Sequence, residues 1–183
     1  QPVSGCEYMT EKNIRAAAWG YIFRKDVLGD LKFTSGIYHE DEEFTPQLLL
    51  RSKRVFDTNA PAYYYRQRKG SITHNTDKKI IDKRLEDILQ VIVHLKRISS
   101  QLPTKSKIAL ERRVAQLTMD YLYQIIVQTQ SRQRLDAAID ILQEMELYPL
   151  PDRQYTRKYT LFRKLISSHW GRQLLVRGLK VKR

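Results

Sequence analysis

A change of hydrophobic period near residue 75 constrains the fold more than any other feature of this sequence. Between residues 81 and 95, apolar side chains recur at spacings of 4, 3, 4 and 3, which is the pattern of one buried helical face. The same mixed spacing predicts further helices over residues 110–125 and 135–145. Because such spacings are typical of helices that pack on one another, we expect residues 76–183 to form a basic C-terminal helical bundle.

Residues 1–75 show a different pattern. Short runs of aromatic and β-branched residues in the second half of 16–24, at 54–57 and at 62–68 predict strands, since these residue types fit a pleated sheet, and 31–33 predicts a short extended piece. We therefore expect an α+β fold in which a few strands combine with helices.

Three short helices are predicted, one before the first strand and two between the strands. Ser4 and Glu7 have the spacing of a capping box, which opens the first helix. Residues 25–28 form a single helical turn, and a third helix begins near Asp41 and ends near Ser52.

The composition is that of a folded, strongly basic protein. Lys and Arg number 33 against 20 Asp and Glu, which gives a formal net charge of +13. Hydrophobic residues make up 42% of the chain, which excludes a disordered class. No apolar run approaches the roughly 18–20 residues that cross a bilayer. Cys6 is the single cysteine and cannot form an internal disulfide, so we expect a reducing, cytoplasmic location.

The positive charge is concentrated at the C-terminal end. Residues 153–183 contain ten Lys or Arg and no Asp or Glu. Such a segment attracts polyanions, which include nucleic acid, anionic lipid headgroups and phosphorylated substrates. Charge alone does not choose among them.

Glu40, Asp41, Glu42 and Glu43 form an acidic run inside this basic chain. One interpretation is ordinary helix chemistry, because carboxylates in a first turn are stabilised by the helix dipole by about 0.3–1 kcal/mol each. The other is a functional site, because crowding by like charge raises the pKa of a carboxyl and makes it a better base.

The order of four segments carries a family resemblance. They are residues 18–24 (AWGYIFR), Phe33, residues 36–44 (GIYHEDEEF) and residues 63–72 (YYYRQRKGSI). This order and spacing closely resemble the second half of the catalytic domain of inverting family 2 glycosyltransferases, which have the glycosyltransferase A fold. The closest likeness is to bacterial enzymes that build surface polysaccharides. It covers roughly residues 1–75, which would then be the acceptor-side half of that nucleotide-diphospho-sugar transferase domain.

The resemblance implies a reaction and a base. In that family a carboxylate removes the proton of the acceptor hydroxyl as it attacks the anomeric carbon of a nucleotide-sugar donor. The acid pair before a helix holds this base, which implies Asp41 as the general base and Glu40 as the neighbour that orients the acceptor or shapes the local electric field. The implied function is sugar transfer to a saccharide or lipid-linked acceptor in surface polysaccharide synthesis.

Four further residues are candidate substrate contacts. Trp19 precedes Gly20 in a tight segment where an indole face suits a sugar ring, and a core tryptophan fits the same pattern. Arg66 and Arg68 lie next to a glycine-containing loop and suit a leaving diphosphate, with a solvated basic loop as the alternative. We interpret His39 as a hydrogen-bond partner on the substrate side rather than a metal ligand.

Enzymes of that family hold the donor with a divalent metal, Mn²⁺ or Mg²⁺. This sequence contains few candidate ligands for such a metal. His74 lies where some relatives place a metal-binding histidine, and a surface or capping histidine is the competing interpretation. The chain has no Asp-x-Asp motif and no glycine-rich phosphate loop. We therefore expect a C-terminal fragment, inactive alone, whose missing N-terminal half holds the metal and the donor.

The same hypothesis predicts partners besides the substrates. Residues 153–183 would contact the inner face of the membrane peripherally, where lipid-linked acceptors reside, each Lys or Arg adding about 1 kcal/mol. Exposed edges of the predicted strands at 19–24 and 63–68 would favour self-association.

Two other functions compete with this one. The first is a non-enzymatic basic helical module that binds nucleic acid or an anionic membrane surface. On nucleic acid it would use Tyr155, Tyr159 and Trp170 as a stacking surface, but the carboxylates of residues 40–43 would repel a phosphate backbone. A structural domain whose helices pair with another copy leaves residues 1–75 unexplained.

Overall fold

The computed structural model describes residues 1–66 and 77–179. It divides into two compact units, residues 1–113 and 114–183, and the predicted domain boundary near residue 75 stays a prediction. In the described ranges the helices are α1 (Gly5–Glu11), α2 (Lys25–Leu28), α3 (Glu40–Arg51), α4 (Lys78–Ser100), α5 (Thr104–Thr129), α6 (Arg132–Glu144), α7 (Arg157–Ile166) and α8 (His169–Gly178).

The prediction of an α+β fold is wrong. Residues 1–66 and 77–179 contain helices and connecting chain but no strand. Their one approach to a sheet is an antiparallel bridge, in which Val3 N–H donates to Val55 O at 3.1 Å and Val55 N–H donates to Val3 O at 2.7 Å. The segments predicted as strands that lie in the described ranges are irregular chain or turns apart from the bridge at Val55: 19–24, 54–57 and 62–66.

The backbone around residues 16–24 shows why the strand prediction fails. Gly20 N–H donates to Ala17 O at 2.7 Å, which makes a turn over residues 17–20, at the start of the predicted strand. Ile22 and Phe23 are exposed, so pairing as a sheet buries no apolar face there. Aromatic and β-branched residues fit a pleated surface, but a strand also needs a neighbour for its N–H and C=O groups. Propensity does not supply that neighbour.

The helix predictions are confirmed. In the capping box of α1, Glu7 N–H donates to Ser4 Oγ at 3.2 Å and Ser4 N–H donates to Glu7 Oε2 at 2.9 Å. The predicted helices over residues 81–95 and 110–125 lie within α4 and α5. Among the described residues, no helix combines the length and the apolarity needed to cross a membrane.

Close packing in the first unit fixes the position of α3. The N-terminus of α1 lies so near α3 that a Cβ on Gly5 would be 1.7 Å from the carbonyl oxygen of Leu49. Phe44 and Leu48 of α3 are buried in a core cluster, and the ring of Phe33 stacks on that of Phe44 with centroids 4.0 Å apart. These contacts hold the acidic first turn of α3 in a defined place.

In the second unit, α7 and α8 pack on each other. Tyr148 Oη donates to Ile166 O at 3.1 Å, and Arg172 Nη1 donates to Asp136 Oδ1 at 3.1 Å, which joins α8 to α6. Burial alone would raise the pKa of Asp136, but hydrogen bonds from Arg132 and Arg172 hold it below its ordinary value.

Candidate functional site

The acidic run forms the first turn of α3, and His39 is the residue that precedes it. His39 has φ 65° and ψ 27°, the left-handed conformation that residues with a Cβ adopt uncommonly, and its side chain makes no capping hydrogen bond. Backbone of this kind is often retained near functional sites. The turn places Glu40 to Glu43 at the positive end of the α3 dipole.

Glu42 and Glu43 are engaged by partners from elsewhere in the first unit. Glu43 is 5% exposed, and its carboxylate contacts His94 Nδ1 of α4 and accepts from Thr34 Oγ1. Glu42 pairs with Arg113 of α5, whose side chain is 8% exposed. These two carboxylates therefore hold α3 in place against α4 and α5.

Asp41 has a different environment. It is half-buried and forms no ion pair with any described residue. Burial, and then the charges of Glu42 and Glu40, raise the pKa of Asp41 to about 6, while backbone N–H groups of Asp41 and Glu42 oppose the change. A carboxyl with this pKa is ionised at neutral pH and is more basic than a free aspartate, as a general base requires. Glu40 likewise forms no ion pair with a described residue.

Two hydroxyl groups lie close to Asp41. Thr45 is one turn further along α3, and its Oγ1 shares a hydrogen bond of 3.0 Å with Tyr21 Oη. The pKa of Tyr21 is raised by burial and by the charge of Asp41, although the hydrogen bond with Thr45 lowers it. The phenol and the carboxylate are thus near enough to interact.

His39 faces α4 rather than open solvent. Burial lowers its pKa and Arg84 lowers it further, against the opposing charges of Glu42, Glu40 and Asp87. The imidazole is consequently neutral at physiological pH, when it can donate or accept a hydrogen bond.

Asp87 anchors the chain just before His39. Its carboxylate is fully buried, accepts the N–H of Tyr38 at 2.8 Å and pairs with Lys83. The guanidinium carbon of Arg84 lies 5.5 Å from the centroid of the Tyr38 ring. One side of the acidic turn is therefore built by α4.

Trp19 belongs to an aromatic cluster. Its ring stacks on Tyr63 with centroids 5.1 Å apart and lies 5.2 Å from Tyr65, and Arg15 sits 4.7 Å from the indole centroid. Trp19 is partly buried, and its predicted contact with a sugar ring stays a prediction. Arg66 is exposed.

Arg68 and His74 lie outside the described residues, so their predicted roles at the diphosphate and the metal stay predictions. Within residues 1–66 and 77–179, no three His, Cys, Asp or Glu side chains converge as ligands for a metal ion. The divalent metal that the resemblance implies, expected mainly in a missing N-terminal half, stays a prediction.

The sequence reasoning missed Arg113, Asp87 and His94. The partner of His94 is Glu43, which lies 51 positions away along the chain. A usable signal was present: Arg84, Asp87 and His94 lie at helical spacing and form a polar stripe on α4. Searches against protein-family models, curated proteins and solved structures found no match to this chain.

Proposed function

We propose that this chain supplies the general base of a nucleotide-sugar glycosyltransferase and that Asp41 is that base. One observation carries the proposal: Asp41 is half-buried, has no ion pair with a described residue, and has its pKa raised to about 6, while Glu42 and Glu43 beside it are engaged. A structural carboxylate usually has partners that hold it, whereas a base must keep its lone pairs free for the substrate.

The proposed step is a single displacement. The Asp41 carboxylate accepts the proton of the acceptor hydroxyl while that oxygen forms a bond to the anomeric carbon. The bond from the anomeric carbon to the diphosphate oxygen breaks on the opposite side, and the nucleoside diphosphate leaves with the electron pair. The configuration at the anomeric carbon is inverted, and Asp41 then releases its proton to water.

Neighbouring groups have supporting roles in this proposal. Glu40 acts through Asp41, because its charge contributes to the raised pKa. The hydroxyl of Tyr21, which shares a hydrogen bond with the buried Thr45, would orient an acceptor sugar, and Arg66 with Arg68 would stabilise the charge that develops on the diphosphate.

The test is turnover of uridine and guanosine diphosphate sugars by the natural protein that contains this sequence. Asp41→Asn should lower kcat by roughly 10²–10⁴-fold, the usual contribution of a general base, with donor binding unchanged. Asp26→Asn is the matched control, because Asp26 is an exposed acid that pairs with Arg24. The native rate should rise with pH through about 6, the pKa of Asp41. Full turnover by Asp41→Asn would refute the proposal.

A further inference from the structure

The outer faces of α7 and α8 carry large apolar side chains where an amphipathic helix normally carries polar ones. Leu161 is 62% exposed, Trp170 is 84% exposed and Leu174 is 62% exposed. Tyr159 and Phe162 of α7 are buried, so the exposed residues lie outside the packing that holds this unit together. Because α7 and α8 pack on each other, we interpret these exposed apolar groups as parts of one interaction surface.

Cations surround the exposed leucine of α7. Arg157, Lys158 and Lys164 lie four residues before, three before and three after Leu161, so all are its neighbours on the helix surface, and all are exposed. A groove of about 490 Å³ runs along this side of α7. The residues that line it are Gln154, Thr156, Arg157, Thr160, Leu161 and Lys164.

The apolar pair of α8 is arranged similarly. Trp170 and Leu174 are four residues apart and share one helix face, and Arg177 is exposed three residues further on. Other cations of these helices have internal partners: Arg163 pairs with Asp152, and Arg172 pairs with an aspartate of α6. The sequence from 153 to 179 has no acidic residue to oppose the remaining positive charge.

We propose that the α7–α8 face, defined by Leu161, Trp170, Leu174 and the cations around them, binds the surface of an anionic lipid bilayer. The leucines enter the boundary between headgroups and acyl chains, and Trp170 lies at the headgroup level where indoles concentrate. Arg157 and Lys164 contact lipid phosphates along the groove. This inference concerns residues 114–179 alone and does not depend on glycosyl transfer by Asp41.

The combination of charges and leucines favours lipid over nucleic acid. A nucleic-acid backbone attracts the same cations, but it offers no apolar phase for Leu161 and Leu174. A bilayer surface accepts both kinds of group at once, because the phosphates lie directly above the acyl chains.

The first experiment measures cosedimentation of the whole chain with phosphatidylcholine vesicles, with and without phosphatidylserine. The triple variant Arg157→Glu/Lys158→Glu/Lys164→Glu should lose at least roughly 100-fold in affinity, since about 1 kcal/mol per charge corresponds to about fivefold each. Lys32→Glu/Lys79→Glu/Lys107→Glu, at exposed positions outside the face, changes the net charge equally and should bind like the native chain. Equal loss in both variants, or native binding by the first, overturns the proposal.

A second experiment tests the apolar contacts. In a Trp19→Phe background, the fluorescence of Trp170 should shift to shorter wavelength on vesicles that contain phosphatidylserine and stay unchanged on neutral vesicles. Trp170→Ser/Leu174→Ser should weaken vesicle binding while its circular dichroism stays native. Tighter binding to a DNA duplex than to vesicles, unaffected by Trp170→Ser/Leu174→Ser, would identify the partner as nucleic acid and overturn the proposal.

Discussion

The four carboxylates in the first turn of α3 differ in their partners. Glu42 and Glu43 contact side chains of other helices, whereas Glu40 and Asp41 do not form such ion pairs with described residues. Each residue of an α-helix is rotated by about 100° from the one before, so four successive carboxylates point in four directions. The inner pair, Glu42 and Glu43, meets Arg113 and His94. The outer pair, Glu40 and Asp41, forms no ion pair with a described residue, as the proposed role of Asp41 requires.

Removing the partner of Glu42 should have the largest effect on the inner pair. Arg113→Met leaves a carboxylate without its counter-charge in a largely buried place, so we expect a loss of about 3 kcal/mol in the free energy of unfolding, measured by urea denaturation. The double variant Glu42→Gln/Arg113→Met should recover part of this loss. A loss below about 1 kcal/mol would show that Glu42 is no more engaged than Glu40.

The partner of Glu43 should matter somewhat less. His94→Ala removes the ring nitrogen that contacts the buried Glu43 carboxylate, and we expect a loss of about 2 kcal/mol in the free energy of unfolding. Thr34→Val, which removes the other contact, should cost about 1 kcal/mol. Thermal unfolding followed by circular dichroism measures both, and a native-like melting temperature for His94→Ala would contradict the structural role of Glu43.

Substitution of Asp41 in the outer pair should stabilise the fold, whereas the substitutions at the inner pair destabilise it. The pKa of Asp41 is higher in the folded state than its ordinary value of 3.8, so its ionisation destabilises the fold as pH rises through about 6. Asp41→Asn should therefore increase the free energy of unfolding at neutral pH by about 1 kcal/mol, a figure reduced from the full linkage because water screens a half-exposed carboxylate. Below the ordinary pKa of 3.8 the gain should vanish. Urea denaturation at both pH values checks this, and destabilisation at neutral pH would contradict it.

Glu40→Gln should have the smallest effect on stability, within about 0.5 kcal/mol, because Glu40 pairs with no described residue. Its effect should appear in the titration of Asp41, whose pKa should fall below about 6 when this like charge is removed. Carbon NMR of the Asp41 carboxyl measures the change. Asp30→Asn, at an exposed acid that pairs with Arg51, is the control and should leave the titration of Asp41 as it is.

Local signals predicted the helices well. Ser4 and Glu7 form the predicted capping box, and the apolar repeat of α4 produced the predicted helix, because both depend on residues a few positions apart. The strand predictions were wrong because strand formation is not local. Residues 19–24 have suitable side chains, but a strand also has to pair with a segment that is distant in the sequence. Self-association was predicted from exposed strand edges, and the described residues contain no strand. It stays a prediction without that support.

The sequence by itself determined the helical periodicity, the helix caps, the basic C-terminal end and the position of the acidic run at a helix start. Only the tertiary structure decided which carboxylates are engaged. Glu43 meets His94 across 51 positions and Glu42 meets Arg113 across 71, and those contacts depend on how α4 and α5 pack against α3. Burial in that packing also raises the pKa of Asp41, because desolvation depends on neighbours that no local pattern specifies.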